Sequence, residues 1–186
     1  ISYELQKPKL YILAVGVSEY EQSAYNLAYA DKDAEAFMEV LQKQQGLLYS
    51  RVIPKIFTNR QATKDNILDG LDWLIIETTQ NDVAMIFFAG HGRENNRGTF
   101  YYLPYGADVD NMRRTCIMRE EIKDTVAYLR LAINLRDEQA LVRVINYPTR
   151  GVVKTSLERL IVFADQERIS LWEAMKNVKE TGVRGK

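Results

Sequence analysis

One histidine and one cysteine occur in this chain of 186 residues, and both side chains can do chemistry. His91 stands between Gly90 and Gly92, where the apolar run of "DVAMIFFAGHGREN" stops. An imidazole titrates near neutral pH and can serve as a general base. Flanking glycines let the backbone turn sharply and leave room for a substrate. The plainer alternative is a loop imidazole tied to backbone groups. Cys116 lies in "NMRRTCIMREE". Arg113 and Arg114 would lower its thiol pKa if they met it in space; otherwise it is a small, semi-buried side chain. A single cysteine excludes an internal disulfide and supplies no metal-ligand cluster, so neither metal nor cofactor is expected.

Alternating elements position these groups. "KLYILAVGVSEY" reads as a buried strand through Leu10, Ile12, Leu13 and Val15. "YADKDAEAFMEVLQKQQG" reads as a helix with Gly46 just past its end. "RVIPKIFTN" reads as a short second strand, with Pro54 weakening the case for its pairing. "TKDNILDGLDWLIIETTQ" is a helix capped by Thr63. "DVAMIFFA" is apolar on both faces, as expected of a central parallel strand. Strand, helix, strand, helix, strand implies right-handed crossovers and a parallel sheet. Active groups in such sheets lie beyond the carboxyl ends of the strands, where His91 falls.

The pattern changes after residue 118. "REEIKDTVAYLRLAIN" and "DEQALVRVINYP" read as helices, the second started by Asp137. "TSLERLIVFADQERI" and "SLWEAMKNVKE" each open with a capping box, Thr155 with Glu158 and Ser170 with Glu173. Residues 1–118 carry 12 basic and 15 acidic side chains, and residues 119–186 carry 13 and 10. The expected division is therefore 1–118 and 119–186. A hydrophobic fraction of 46% supports a packed core and argues against global disorder. No apolar run reaches membrane-spanning length. The opening "ISYELQKPKLYILAVG" lacks a signal peptide's basic end and cleavage site, which points to the cytoplasm.

Four blocks, "KLYILAVGVSEY", "NLAYADKDAEAF", "FFAGHG" and "FYYLPYGADVDN", resemble the caspase-like cysteine peptidases of the metacaspase type, over residues 8–127. The resemblance implies that His91 is half of a Cys–His dyad and that Gly92 lends its N–H to the oxyanion hole. It implies that Asp33 helps hold a basic P1 side chain. The family's nucleophile block, similar to D-x-C-H-S-G, does not occur in this sequence. Cys116 would have to substitute for it.

Residues 119–186 resemble the start of the 2B subdomain of UvrD/Rep/PcrA-like DNA helicases, most specifically in "INYPTRGVVKTSLERL". That resemblance implies duplex-DNA contacts through Arg150, Gly151, Lys154 and Arg159. Val153 replaces a glycine of the family pattern, and a β-branched residue resists positive φ. A solvated basic face is the plain alternative. No G-x-x-x-x-G-K-[ST] loop is present to bind nucleotide. "EEIKDTVA" suits both families, so the junction is placed within residues 119–131.

The expected fold class is α/β: a partial parallel caspase-like sheet with flanking helices, followed by an all-helical segment. The expected function is a caspase-like endopeptidase fragment or chimera, inactive for want of its nucleophile. The alternatives are an Arg/Lys-specific peptidase using Cys116, and a weak duplex-DNA-binding module. The expected partners are a peptide with a basic P1 residue, duplex DNA, or a second copy at an uncovered sheet edge; no membrane is expected.

Overall fold

The computed structural model describes residues 7–146 and 151–177. Strand β1 (Lys9–Gly16) is followed by helix α1 (Ala30–Gln42), β2 (Arg51–Thr58), α2 (Lys64–Glu77) and β3 (Val83–Ala89). The three strands are parallel in the order β2-β1-β3. The path from β1 to β2 runs one way across the sheet, and the path from β2 to β3 runs back. With right-handed crossovers, that reversal puts α1 and α2 on opposite faces.

Both faces of β1 are thereby covered. Leu10, Ile12 and Ala14 pack with Ala34 and Met38 of α1. The alternate residues meet α2: Tyr11 makes an edge-on contact with Trp73, and Leu13 lies against Gly70. All of β1 after Lys9 is buried. The central strand is therefore β1. β3, expected at the centre, is paired on one side only among the described residues, and all seven of its residues are half-buried. Its unbroken apolar run reflects contact on both faces, which an edge strand can also have. Pro54 sits on the edge strand β2 opposite Ile12, where a missing N–H is tolerated.

Thr63 caps α2 by accepting from the Asn66 N–H, as expected. Helix α1 stops at Gln42, and two turns intervene before Gly46, which adopts φ +80° beyond them. A second, antiparallel sheet follows: β4 (Gly92–Glu94), β5 (Phe100–Tyr102) and β6 (Ile117–Met118), in the order β4-β5-β6. Its strands of two or three residues are too short to register as a sequence period. The short helix α3 (Met112–Thr115) precedes β6.

The chain divides into two compact units, Ile1–Thr125 and Val126–Lys186. Helix α4 (Arg119–Ile133) runs from the first into the second. The second unit adds α5 (Glu138–Val144), α6 (Lys154–Glu167) and α7 (Leu171–Lys176), with no strand among its described residues. Leu141, Ile145, Leu160, Ala164, Leu171 and Ala174 form its core. Asp137 caps α5 through the Ala140 N–H, and Ser170 and Glu173 form the expected capping box. Thr155 does not cap α6. The helix starts at Lys154 with Val153 at the cap, which puts Thr155 inside the first turn. No helix among the described residues is long and apolar enough to cross a membrane.

A tight seam lies where β1 passes under the start of α1. A Cβ on Gly16 would lie 2.8 Å from both the Ala34 Cβ and the Asp31 Cα, the latter rigid backbone. Gly16→Ala is expected to destabilise the chain by about 1–3 kcal/mol, an overpacking cost. Urea unfolding reads this, and an unchanged midpoint would contradict the seam.

Candidate active site

His91 follows β3 at the carboxyl edge of the sheet. Gly90 adopts φ +149°, and a Cβ there would meet the Tyr20 hydroxyl at 2.9 Å. That closeness is used: the His91 N–H donates to the Tyr20 hydroxyl oxygen at 2.8 Å. The imidazole Nε2 lies 3.0 Å from the Tyr25 carbonyl oxygen. A carbonyl can only accept, so Nε2 carries a proton, and in the neutral tautomer this leaves the lone pair on Nδ1. The rings of Tyr20 and Tyr25 flank the imidazole, with centroids 5.5 and 6.2 Å away. Burial holds the Tyr20 phenol above its ordinary pKa, opposed by the His91 N–H, so its hydroxyl stays protonated at neutral pH. Neither tyrosine was singled out from the sequence.

Gly92 opens β4, and a Cβ there would overlap the Phe100 ring. It stands opposite Tyr102, and the neighbouring Leu103 N–H donates to the His91 carbonyl at 2.9 Å. In an antiparallel ladder that bond flanks a pair that does not exchange hydrogen bonds. The Gly92 N–H therefore points away from β5, as an oxyanion donor must. A small cavity of about 30 Å³ beside His91 is walled by Val17, Phe88, Leu103 and Ile117, space for roughly one water molecule.

Cys116 is fully buried between α3 and β6. Its N–H donates to the Met112 carbonyl, and its sulfur lies 3.6 Å from the Thr115 hydroxyl oxygen. Burial pushes the thiol pKa up, opposed by the Thr115 contact and the charge of Lys64. Arg113 and Arg114 are exposed, and the neighbouring cation that acts on the thiol is Lys64. The structure holds no hydrogen bond between Cys116 and His91.

Asp33 is exposed in the first turn of α1, its carboxylate unbonded to any described residue. Two residues earlier, Asp31 has the opposite situation. It accepts from the Ser18 hydroxyl at 2.6 Å, from the Asn59 amide at 3.0 Å and from the Lys32 N–H at 2.9 Å. Asn59 accepts in turn from the Ser18 and Glu19 N–H groups. This cluster ties the ends of β1 and β2 to the start of α1. Asn59 has φ +48°, a conformation asparagine tolerates, at the end of β2. That pairing of residue type and position was the available sequence signal.

In the helical unit, Gly151 adopts φ +74° with open space around it. Val153 is extended, at φ −81°, so this turn asks no positive φ of it. Lys154 and Arg159 are exposed on α6, and the Lys154 ammonium lies 3.8 Å from the Glu158 carboxylate. Arg150 lies outside the described residues.

The caspase-domain family model matches residues 9–133 of this chain. The chain belongs to the caspase-domain family. A second model, the UvrD-like helicase C-terminal domain, matches residues 114–181. The ATP-dependent DNA helicase PcrA of Bacillus subtilis is 43% identical over 68 residues, covering 37% of this chain and 9% of that protein. The ATP-dependent DNA helicase Rep of Buchnera aphidicola is 41% identical over 61 residues, covering 33% and 10%. The DNA helicase II of Haemophilus influenzae is 47% identical over 58 residues, covering 31% and 8%. The chain thus spans a tenth or less of these three relatives. Among solved structures, protein GSU0716 of Geobacter sulfurreducens superposes with a TM-score of 0.52 at 15% identity, covering 65% of this chain and 45% of that one. That likeness concerns the fold. A caspase-like segment and a helicase-like segment are joined in one chain, and their matches overlap over residues 114–133.

The Asp31 cluster predicts a pH dependence. Hydrogen bonds from Ser18, then Asn59, hold its carboxyl below the ordinary range. Its stabilisation is full above the unfolded pKa of about 3.9 and is lost as pH falls through the lower folded value. The stability difference between wild type and Asp31→Asn, read by urea unfolding, should be largest at neutral pH and shrink below about pH 4. A difference that stays constant down to low pH would remove this role.

Proposed function

We propose that this chain is a caspase-domain protein without endopeptidase activity, fused to a helicase-derived helical segment. One observation carries the reading: its sole thiol is buried against Thr115 while its histidine is anchored on the Tyr25 carbonyl. Peptide cleavage by a cysteine needs a thiolate within a proton's reach of the base. Burial keeps the Cys116 thiol protonated at neutral pH, and Nδ1 of His91 has no thiol to deprotonate. The rest of the apparatus is retained in form. His91 presents a lone pair, Gly92 aims an N–H away from its ladder, and Asp33 offers an exposed carboxylate to a cationic side chain. A peptide with arginine or lysine at P1 is the ligand these groups suit. The rival reading is a peptidase using Cys116.

A fluorogenic arginyl peptide separates the two. Wild type and Cys116→Ala are expected to show the same background rate. Cys116 should also react with a thiol reagent only after unfolding. Turnover by the wild type that vanishes in Cys116→Ala would overturn the proposal.

The helical segment supports a second reading, weak binding of duplex DNA. Its support is the open positive-φ turn at Gly151 just before α6, with Lys154 and Arg159 exposed on that helix. The similar proteins are DNA helicases by name. Phosphate suits such a helix start, yet Glu158 offsets Lys154 and few cations take part. Fluorescence anisotropy with an arbitrary duplex should give a Kd in the range of about 10⁻⁴–10⁻⁶ M at physiological salt, tightening as salt is lowered. No binding at low salt would eliminate this reading.

A further inference from the structure

Away from His91, the β4–β5 hairpin and the segment around α3 enclose an open cavity of about 780 Å³. Four arginines line it: Arg93 and Arg97 from the hairpin, Arg113 and Arg114 from α3. All four are exposed, and none is ion-paired with a carboxylate among the described residues. Two acids share the lining, Glu94 and Asp110, which leaves an excess of two positive charges. A third acid close by, Asp108, is already engaged. Its carboxylate accepts from the Asp110 N–H and the Asn111 amide, closing the turn before α3.

Four guanidinium groups around one concavity repel one another, and a concave wall focuses their field. Surface arginines usually relieve this by pairing with acids or spreading apart. Here two separate chain segments each bring a pair to the same cavity. A guanidinium fork binds phosphate or carboxylate oxygens in bidentate fashion. Two pairs on facing segments suit an anion with several charged groups close together. The volume lies in the small-molecule range of roughly 300–1,000 Å³.

We propose that this cavity binds a small polyanion carrying two or more linked phosphoryl groups, bridged between Arg93/Arg97 and Arg113/Arg114. Linked phosphoryls concentrate several negative charges within one cavity's width, which a peptide of acidic residues does not. The site is independent of the peptidase reading and uses none of its residues.

Inorganic tripolyphosphate is the probe, titrated calorimetrically into the full chain at low salt. The expected result is a single site that binds tripolyphosphate at least about tenfold tighter than monophosphate, the bidentate multiplicity being lost in the smaller ion. Arg93→Gln/Arg97→Gln and Arg113→Gln/Arg114→Gln should each weaken tripolyphosphate by about tenfold or more. All four side chains are exposed, so the unfolding midpoint should hold. Arg51→Gln/Arg60→Gln removes two exposed cations elsewhere and should leave affinity within about twofold, as screened distant charges do. No binding by the wild type overturns the proposal. So does equal weakening by the control pair, which marks diffuse attraction. Weakening by one cavity pair alone overturns the bridged arrangement. Should a variant unfold, the wild-type ratio of tripolyphosphate to monophosphate decides alone, and a ratio near one overturns the site.

Discussion

Burial of β1 on both faces and both edges is the constraint on which the first unit depends. Its residues after Lys9 are withdrawn from water, and the backbone polar groups of such a strand must find partners. β2 and β3 satisfy them from either side, so the sheet order follows from one strand's need. The same burial requires a helix on each face, which the two crossovers supply. Gly16 shows how close the fit is, for the strand leaves the sheet in contact with the α1 backbone.

The carboxyl edge inherits this rigidity. Ser18, Asp31 and Asn59 lock the loops that leave β1 and β2, so the segment carrying Tyr20 and Tyr25 has a fixed floor. Those tyrosines then hold His91 at its backbone N–H and its ring. The histidine is thus positioned by groups distant in sequence, none of which is a thiol. In the function proposed above, His91 keeps the orientation of a base without the nucleophile that would use it. An imidazole fixed by a carbonyl costs little to retain, because the hydrogen bonds of His91 also close the loop.

The second unit follows different physics. Its helices α5 and α7 are short, and its core is a small cluster around Leu141, Leu160 and Leu171. Side-chain caps matter more in such helices, since short helices gain little from propagation. Asp137 and Ser170 act this way, while the longer α6 starts at Lys154 behind Val153, which gives no side-chain cap. The residues that join the two units lie in α4, whose sequence is helical by either family's pattern. A junction within a helix preserves the backbone hydrogen-bond ladder, which explains how two unrelated segments can share it.

Strands β1, β2 and β3 and helices α1 and α2 were legible in the sequence because each carries a long period or an unbroken apolar run. So were Thr63, Asp137 and Ser170 as caps, since capping is a contact over three residues. His91 was legible as a candidate because its glycines mark the edge of the sheet. What tertiary structure alone decided depends on separations the sequence cannot show. Which strand is central depends on pairing across some seventy residues, and both β1 and β3 read as apolar. The very short strands β4, β5 and β6 have no period to read. The Tyr25 carbonyl is a backbone group that every residue possesses, so no residue type announced it as the partner of His91. Arg113 and Arg114 adjoin Cys116 in sequence, yet the fold buries the thiol and turns those cations outward, toward a cavity shared with Arg93 and Arg97.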